Sequence, residues 1–214
     1  MNEKKEEENL KKEEETLVNL LYENTLGQEE KTRNIFLYNE IDENSSGPLI
    51  SHLLFLKETG MHQKPDPDNE GSLIEVFEPI KLYISTPGGG AHDMFSIYDT
   101  MRLIEEECEI HTFGLGRVMS AGVLVLAGGT KGKRKIGRNC RVMIHPVASA
   151  AMGDLQDIEN DTKEIKWLQS QYIKSLAKET NLTEKKIKSI LRKKINHYFS
   201  AEQAIDMGIA DVIF

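Results

Sequence analysis

The chain has 214 residues, 39% of them hydrophobic, and sets 27 Lys and Arg against 35 Asp and Glu for a net charge of −8. That length supports one sizeable core and is short for two full domains, and the acidic balance offers no general counter-charge to phosphate backbones or anionic lipid, which argues against nucleic-acid and membrane partners. Two cysteines, Cys108 and Cys140, carry no ligand spacing; with no run of membrane-spanning length and an N-terminus unlike a leader, the expectation is a cytoplasmic protein without disulfide framework or metal.

Residues 1–16 are almost all Glu, Lys and Asn and bring only Met1 and Leu10 to bury, so they are read as a disordered charged tail, and 17–214 as a single domain. IFLYNEI (35–41) reads as a strand, and SSGPLISHLLFLKETG as a helix with Pro48 in its first turn and Gly60 at its end. MHQKPDPDNEGS (61–72) reads as a loop on its prolines and glycine, and PIKLYIST (79–86) as the next strand. PGGG (87–90) then leads into a helix whose Met94, Ile97, Tyr98, Met101 and Ile104 recur at helical spacing.

EIHTFGLG is strand-like, MSAGVLVLAGG is a helix apolar all round and therefore buried, and CRVMIHP is another strand. Between them KGKRKIGRNCR (131–141) is locally basic and reads as a solvated loop. Beyond Gly153 a long amphipathic helix runs with Leu155, Ile158, Ile165, Leu168, Tyr172 and Leu176 on one stripe, its length suggesting that it projects from the core. SAEQAIDMG carries a capping box, Ser200 with Gln203, stopped by Gly208 before a last strand ADVIF. Alternating strands and helices predict an α/β fold with parallel pairing.

Ser120 is the polar residue that this pattern does not explain. It sits at the head of a buried helix, directly after a strand, where developing negative charge is favoured and the amide of Ala121 could face an oxyanion. PGGG follows another strand and lets a backbone approach a substrate closely. His145 ends the strand CRVMIH, at the sheet edge where α/β sites assemble. Taken singly, each has an ordinary structural use: a hydroxyl bonded back to a helix carbonyl, a tight turn, a hydrogen-bonded histidine. The local sequence is not a G-x-S-x-G elbow, since Val118 occupies the first glycine position.

From Ile35 to Phe214 the chain resembles the proteolytic subunit of the Clp protease, the ClpP family: IFLYNEID, YISTPGGG, SIYDTM, the serine run, GTKGKR, NCRVMIHP, DIEN and SAEQAIDMGIAD fall in the family's order. The resemblance implies a crotonase-like ββα spiral with a protruding "handle" helix over about 154–179. It implies a serine endopeptidase with Ser120 as nucleophile, His145 as general base, and the amides of Gly89 and Ala121 as oxyanion hole. It implies further that subunits stack in rings, that unfolded polypeptide is cut inside the chamber, and that an AAA+ unfoldase partner uses the ATP, the subunit needing no cofactor.

Three departures stand out. Asn196 occupies the position of the family's triad aspartate, preceded by Ile195 where arginine is usual; the 61–78 segment is longer than the family's linker; and no axial pore loop is recognisable. Asn196 keeps open an alternative, a weakly active or inactive ClpR-like ring subunit, unless Asp206 or Asp211 replaces the missing carboxylate. An acyl-CoA enzyme of the crotonase superfamily is the third reading, disfavoured by the serine and histidine together.

Overall fold

The computed structural model describes residues 32–69, 71–148, 152–193 and 195–214, so the charged tail lies outside the described residues. In order the elements are β1 (Asn34–Leu37), α1 (Glu43–Thr59), β2 (Met61–Pro65), β3 (Leu73–Phe77), β4 (Ile80–Thr86), α2 (Ala91–Glu105), β5 (Ile110–Met119), α3 (Ala121–Ala127), β6 (Lys135–Ile136), β7 (Arg141–Ile144), α4 (Leu155–Glu179), α5 (Glu184–Leu191), β8 (His197–Phe199), α6 (Ala201–Asp206) and β9 (Val212–Ile213).

The architecture is α/β with a mostly parallel sheet in the order β1-β4-β5-β6-β9. β5 is long enough to serve two neighbours: Phe113 and Gly114 pair with β6, and Arg117 to Met119 pair with β7. β8 then adds antiparallel to β7. Along β4, Ile80, Leu82, Ile84 and Thr86 are all fully buried on one face, the alternation expected of a strand with one face in the core. Helix α3 is buried along its whole length, Val123 to Ala127 having no exposure at all. Burying such a run contributes roughly 1.5–3 kcal/mol per large side chain, and it fixes the strand-to-helix junction ahead of it.

Four expectations are corrected. First, 61–72 is not a loop throughout: β2 and β3 form an antiparallel hairpin, Met61 opposite Phe77 and Pro65 opposite Leu73. Its prolines act as punctuation at the strand end and in the turn, where they cost no ladder bond. Asp66 closes that turn, accepting from the Asp68 amide at 2.9 Å and the Ser72 hydroxyl at 3.1 Å.

Second, Pro48 lies inside α1, not in its first turn. The helix begins earlier because Asp42 and Ser45 form a reciprocal capping box, the Ser45 amide donating to Asp42 Oδ1 at 2.9 Å and the Asp42 amide to Ser45 Oγ at 3.0 Å. Third, the 131–141 segment is not simply a solvated loop. Arg134 is only 4% exposed and donates to Asp211 Oδ2 at 2.9 Å and to the Glu179 carbonyl at 2.7 Å, which draws its neighbours into β6. Fourth, 180–199, where the sequence shows no clear element, holds α5, capped by the Thr183 side chain on the Lys186 amide, and the edge strand β8.

The long helix divides in two. Leu168, Tyr172, Ile173 and Leu176 are buried, whereas Leu155 and Ile158 toward its N-terminus are exposed. Its C-terminal half therefore packs on the body and its N-terminal half presents an apolar stripe to the outside.

Candidate active site

Ser120 joins β5 to α3 with φ 53° and ψ −120°, the single non-glycine residue with positive φ among those described. Such a conformation costs on the order of 1–3 kcal/mol and persists only when the surroundings impose it. Here they do. The Ser120 amide donates to the Met143 carbonyl of β7 at 2.8 Å, and the Tyr172 hydroxyl of α4 reaches the Ser120 carbonyl at 3.3 Å. Burial raises the Tyr172 pKa well above the usual phenol range, so it stays a neutral donor. Behind the turn sits Gly88 at φ 97°, where an added Cβ would lie 2.5 Å from Ser120 Cβ and 2.8 Å from the Met119 carbonyl oxygen.

The consequence is the direction of the side chain. Ser120 makes no capping bond to its helix; its hydroxyl lies 2.7 Å from His145 Nε2. His145 is the first residue beyond β7 and half-buried, so pairing of β7 with β5 is what carries the imidazole to the serine. The ordinary use of a helix-start serine, bonding back to the helix, is thereby replaced by a bond across the sheet edge.

Gly89 and Ala121 border the same cleft. Their neighbouring amides are occupied: Gly88 N–H donates to Thr86 Oγ1 at 3.1 Å, Gly90 N–H to the Ile41 carbonyl at 2.7 Å, and Ser120 N–H to Met143. Among the described residues neither the Gly89 nor the Ala121 N–H is taken by an acceptor. Gly89 is held against Ile41, whose carbonyl oxygen would sit 2.0 Å from any Cβ at that position. Ala121 is buried at the start of α3 and Gly89 is exposed on the cleft wall; helix-start amides lack an intrahelical partner, and two free N–H groups beside one hydroxyl are suited to hold an anionic oxygen. Of the two residues that set this geometry, Gly88 falls within the PGGG run, whereas no local pattern marks Thr86.

The cleft has a volume of about 260 Å³ and an apolar wall of Met94, Ile165 and Leu168. At its rim His92 meets Glu164 at 3.4 Å. Among the described residues no group of three or more His, Cys, Asp or Glu is placed to hold a metal ion, and no helix is long and apolar enough to cross a membrane.

Asn196 stands one step outside this arrangement. The β7–β8 register pairs Val142 with Phe199, Met143 with Tyr198 and Ile144 with His197; continued by one pair, it sets Asn196 opposite His145. Asn196 is exposed, and among the described residues the imidazole bonds to Ser120 and not to Asn196. The histidines paired with carboxylates are His62, His92 and His111. Asp211 is committed elsewhere, to Arg134 and to the Gly132 amide at 2.8 Å, and these bonds and the Arg134 charge, outweighing partial burial, hold its carboxyl below the usual range. Asp206 lies exposed on α6. Among the described residues neither aspartate is paired with His145.

A family model described as Clp protease matches residues 70–214 of the chain.

Proposed function

This chain belongs to the Clp protease family, and on that premise we propose that it is a serine endopeptidase subunit in which Ser120 is the nucleophile and His145 its base. The observation that carries the proposal is the Ser120 turn, a strained backbone that aims the hydroxyl at His145 Nε2 over 2.7 Å. His145 takes the Ser120 proton as the oxygen adds to the scissile carbonyl. The Gly89 and Ala121 amides hold the oxyanion, and the imidazolium returns its proton to the leaving amine. Water then repeats the sequence on the acyl-enzyme, with His145 as base, and frees Ser120. None of these steps calls for a cofactor.

The exposed apolar residues of α4, Leu155, Ile158 and Trp167, support assembly with further copies, since soluble monomers seldom leave so much large apolar surface uncovered on one helix. In this reading α4 is the handle of a spiral-type subunit, rings stack through it, and an AAA+ partner feeds unfolded polypeptide. Asn196 favours a second reading, a ClpR-like subunit of low activity, because no carboxylate faces His145 among the described residues. A fluorophosphonate probe separates the two: an activated Ser120 is labelled and the Ser120→Ala variant is not, whereas an inert subunit takes up no label.

A further inference from the structure

On the face of α4 next to the one that borders the cleft lies a second depression, about 500 Å³ in volume, between α4, α5 and the residue after His145. Its floor is apolar, made by Ile173, Leu191 and Pro146, and its rim carries Lys166, Lys188 and Arg192. The chain as a whole is acidic, at −8, so this concentration is local: from Thr183 to Lys193, Glu184 is the one acid against Lys185, Lys186, Lys188, Arg192 and Lys193. Glu184 is already engaged by Lys188 at 2.8 Å, and among the described residues neither Lys166 nor Arg192 has an acidic partner. The Gln169 amide and Ser170 hydroxyl complete the wall.

We propose that this groove binds an acidic segment of the polypeptide substrate, as a subsite beside the one that holds the scissile bond. The proposal rests on the proteolytic reading above for its purpose, though not for its chemistry. A single small anion would leave most of the space unfilled, and a nucleic-acid backbone would gain nothing from a floor of Ile173, Leu191 and Pro146. An extended peptide suits both parts, with carboxylates on the cationic rim and methylenes on the floor.

Placement gives the groove its use. Ile165, Leu168 and Tyr172 of α4 face the cleft while Lys166, Gln169 and Ile173 face the groove, so the two sites lie on neighbouring faces of one helix, about 100° apart and on the order of 10 Å from each other. Pro146 lines the groove and is bonded to His145. A chain seated in both spans that distance with about three or four extended residues. Acidic residues a few positions from the cut would thus be preferred.

The test is fluorescence anisotropy on the Ser120→Ala protein, which binds without turnover, using a fluorescein-labelled Glu-rich peptide and its Gln counterpart. The Glu peptide is expected to bind tighter than the Gln peptide, with a preference that weakens in salt. The exposed double charge reversal Lys166→Glu with Arg192→Glu is expected to raise its Kd at least about tenfold, or 1.4 kcal/mol. Melting temperature and native mass of the variant are measured alongside. Equal binding of the two peptides, or a Kd that the double variant leaves unmoved, overturns the proposal. So does loss of binding only together with a change in native mass, which makes the groove an interface between copies, or tighter Lys166- and Arg192-dependent binding of single-stranded oligonucleotide. If charge-reversal weakens Glu-peptide binding while the native protein takes no fluorophosphonate, the groove stands and the proteolytic reading falls.

Discussion

The site is built in two halves of opposite character. Ser120, Gly88 and Gly89 are held by the core: β4 and β5 run in parallel, α3 is buried throughout, and an added methyl at either glycine meets backbone or Ser120 within 3 Å. The half that should orient His145 is an edge strand of three residues, β8, whose exposed Asn196 lies beyond the last paired position. Packing specifies the first half to fractions of an ångström. Only a single register specifies the second. On the proposed mechanism, positioning of Ser120 is therefore the robust feature and tuning of His145 the adjustable one.

The largest effect expected is at the nucleophile. Ser120→Ala should abolish peptidase activity, by about 10² in turnover or more, the part of a full triad's roughly 10⁶ that remains when the carboxylate's roughly 10⁴ is already missing, while native mass and melting temperature stay close to the parent's. Retained activity would place the chemistry elsewhere. Next comes Gly88→Ala, which tests whether the core positions the serine: its Cβ would overlap Ser120 Cβ at 2.5 Å in a backbone at φ 97°. Displacing a nucleophile by about 1 Å can cost on the order of 10²-fold, read as kcat on a short peptide with folding checked by circular dichroism. An unchanged kcat would mean that the turn yields more easily than the packing around it implies.

A third variant probes what holds the other end of α3. Arg134 donates to the Ala127 carbonyl at 3.2 Å and to the Glu179 carbonyl, and Arg102 reaches the Gly128 carbonyl. The Glu179 carboxylate, 2% exposed, lies 3.6 Å from Arg102 and accepts from the Tyr98 hydroxyl at 2.6 Å. Burial alone would raise its pKa, but Tyr98, Lys131 and Arg102 outweigh it and the net shift is downward. A carboxyl depressed in the fold adds stability that is complete above its unfolded value near 4.5 and is lost as pH falls through the folded value. Lys131 is half in solvent and counts for little. Glu179→Gln should thus lower stability by about 2 kcal/mol at neutral pH, a factor of about 30. The gap to the parent should close in acid, and denaturant melts at both pH values check it; a gap independent of pH would show that the charge is not what matters.

The same division governs what the sequence makes legible. Chain-order strands and helices, the buried run 121–127 and the Ser200–Gln203 capping box are visible because periodicity and capping are local. The pairing of Ser120 with His145 rests on resemblance, since neither residue has a local signature. Long-range features left no trace: Arg134 looks like one base in a basic loop, yet its partners Asp211 and Glu179 come from the far C-terminal part of the chain. The hairpin over 61–77 was hidden by prolines that mark its turn, and α5 by lysines that obscure the short apolar stripe of Ile187, Ile190 and Leu191.

The smallest effect expected, and the one that bears most directly on the weaker half, is at Asn196. The third member of a serine triad holds the imidazole in the right tautomer and stabilises the imidazolium that forms when the serine gives up its proton. Asparagine supplies no negative charge for the second task, and an amide turned the wrong way would hold the wrong tautomer. Loss of the carboxylate in a serine protease costs about 10⁴ in turnover, on the order of 5 kcal/mol. Asn196→Asp restores the charge at the position that the β7–β8 register sets opposite His145. The full span is not expected back, because Asn196 is exposed and solvent screens a carboxylate there more than in a buried triad. A gain of about tenfold in kcat, close to 1.4 kcal/mol, is the expected outcome on a short peptide, with KM little changed because the group acts on the histidine and not on the substrate. It should be seen only above the pKa of the new carboxyl, so the pH profile separates it from a change in packing. A variant that folds, keeps its native mass and gains nothing would remove position 196 from the triad and leave His145 oriented by its backbone and by Ser120 alone.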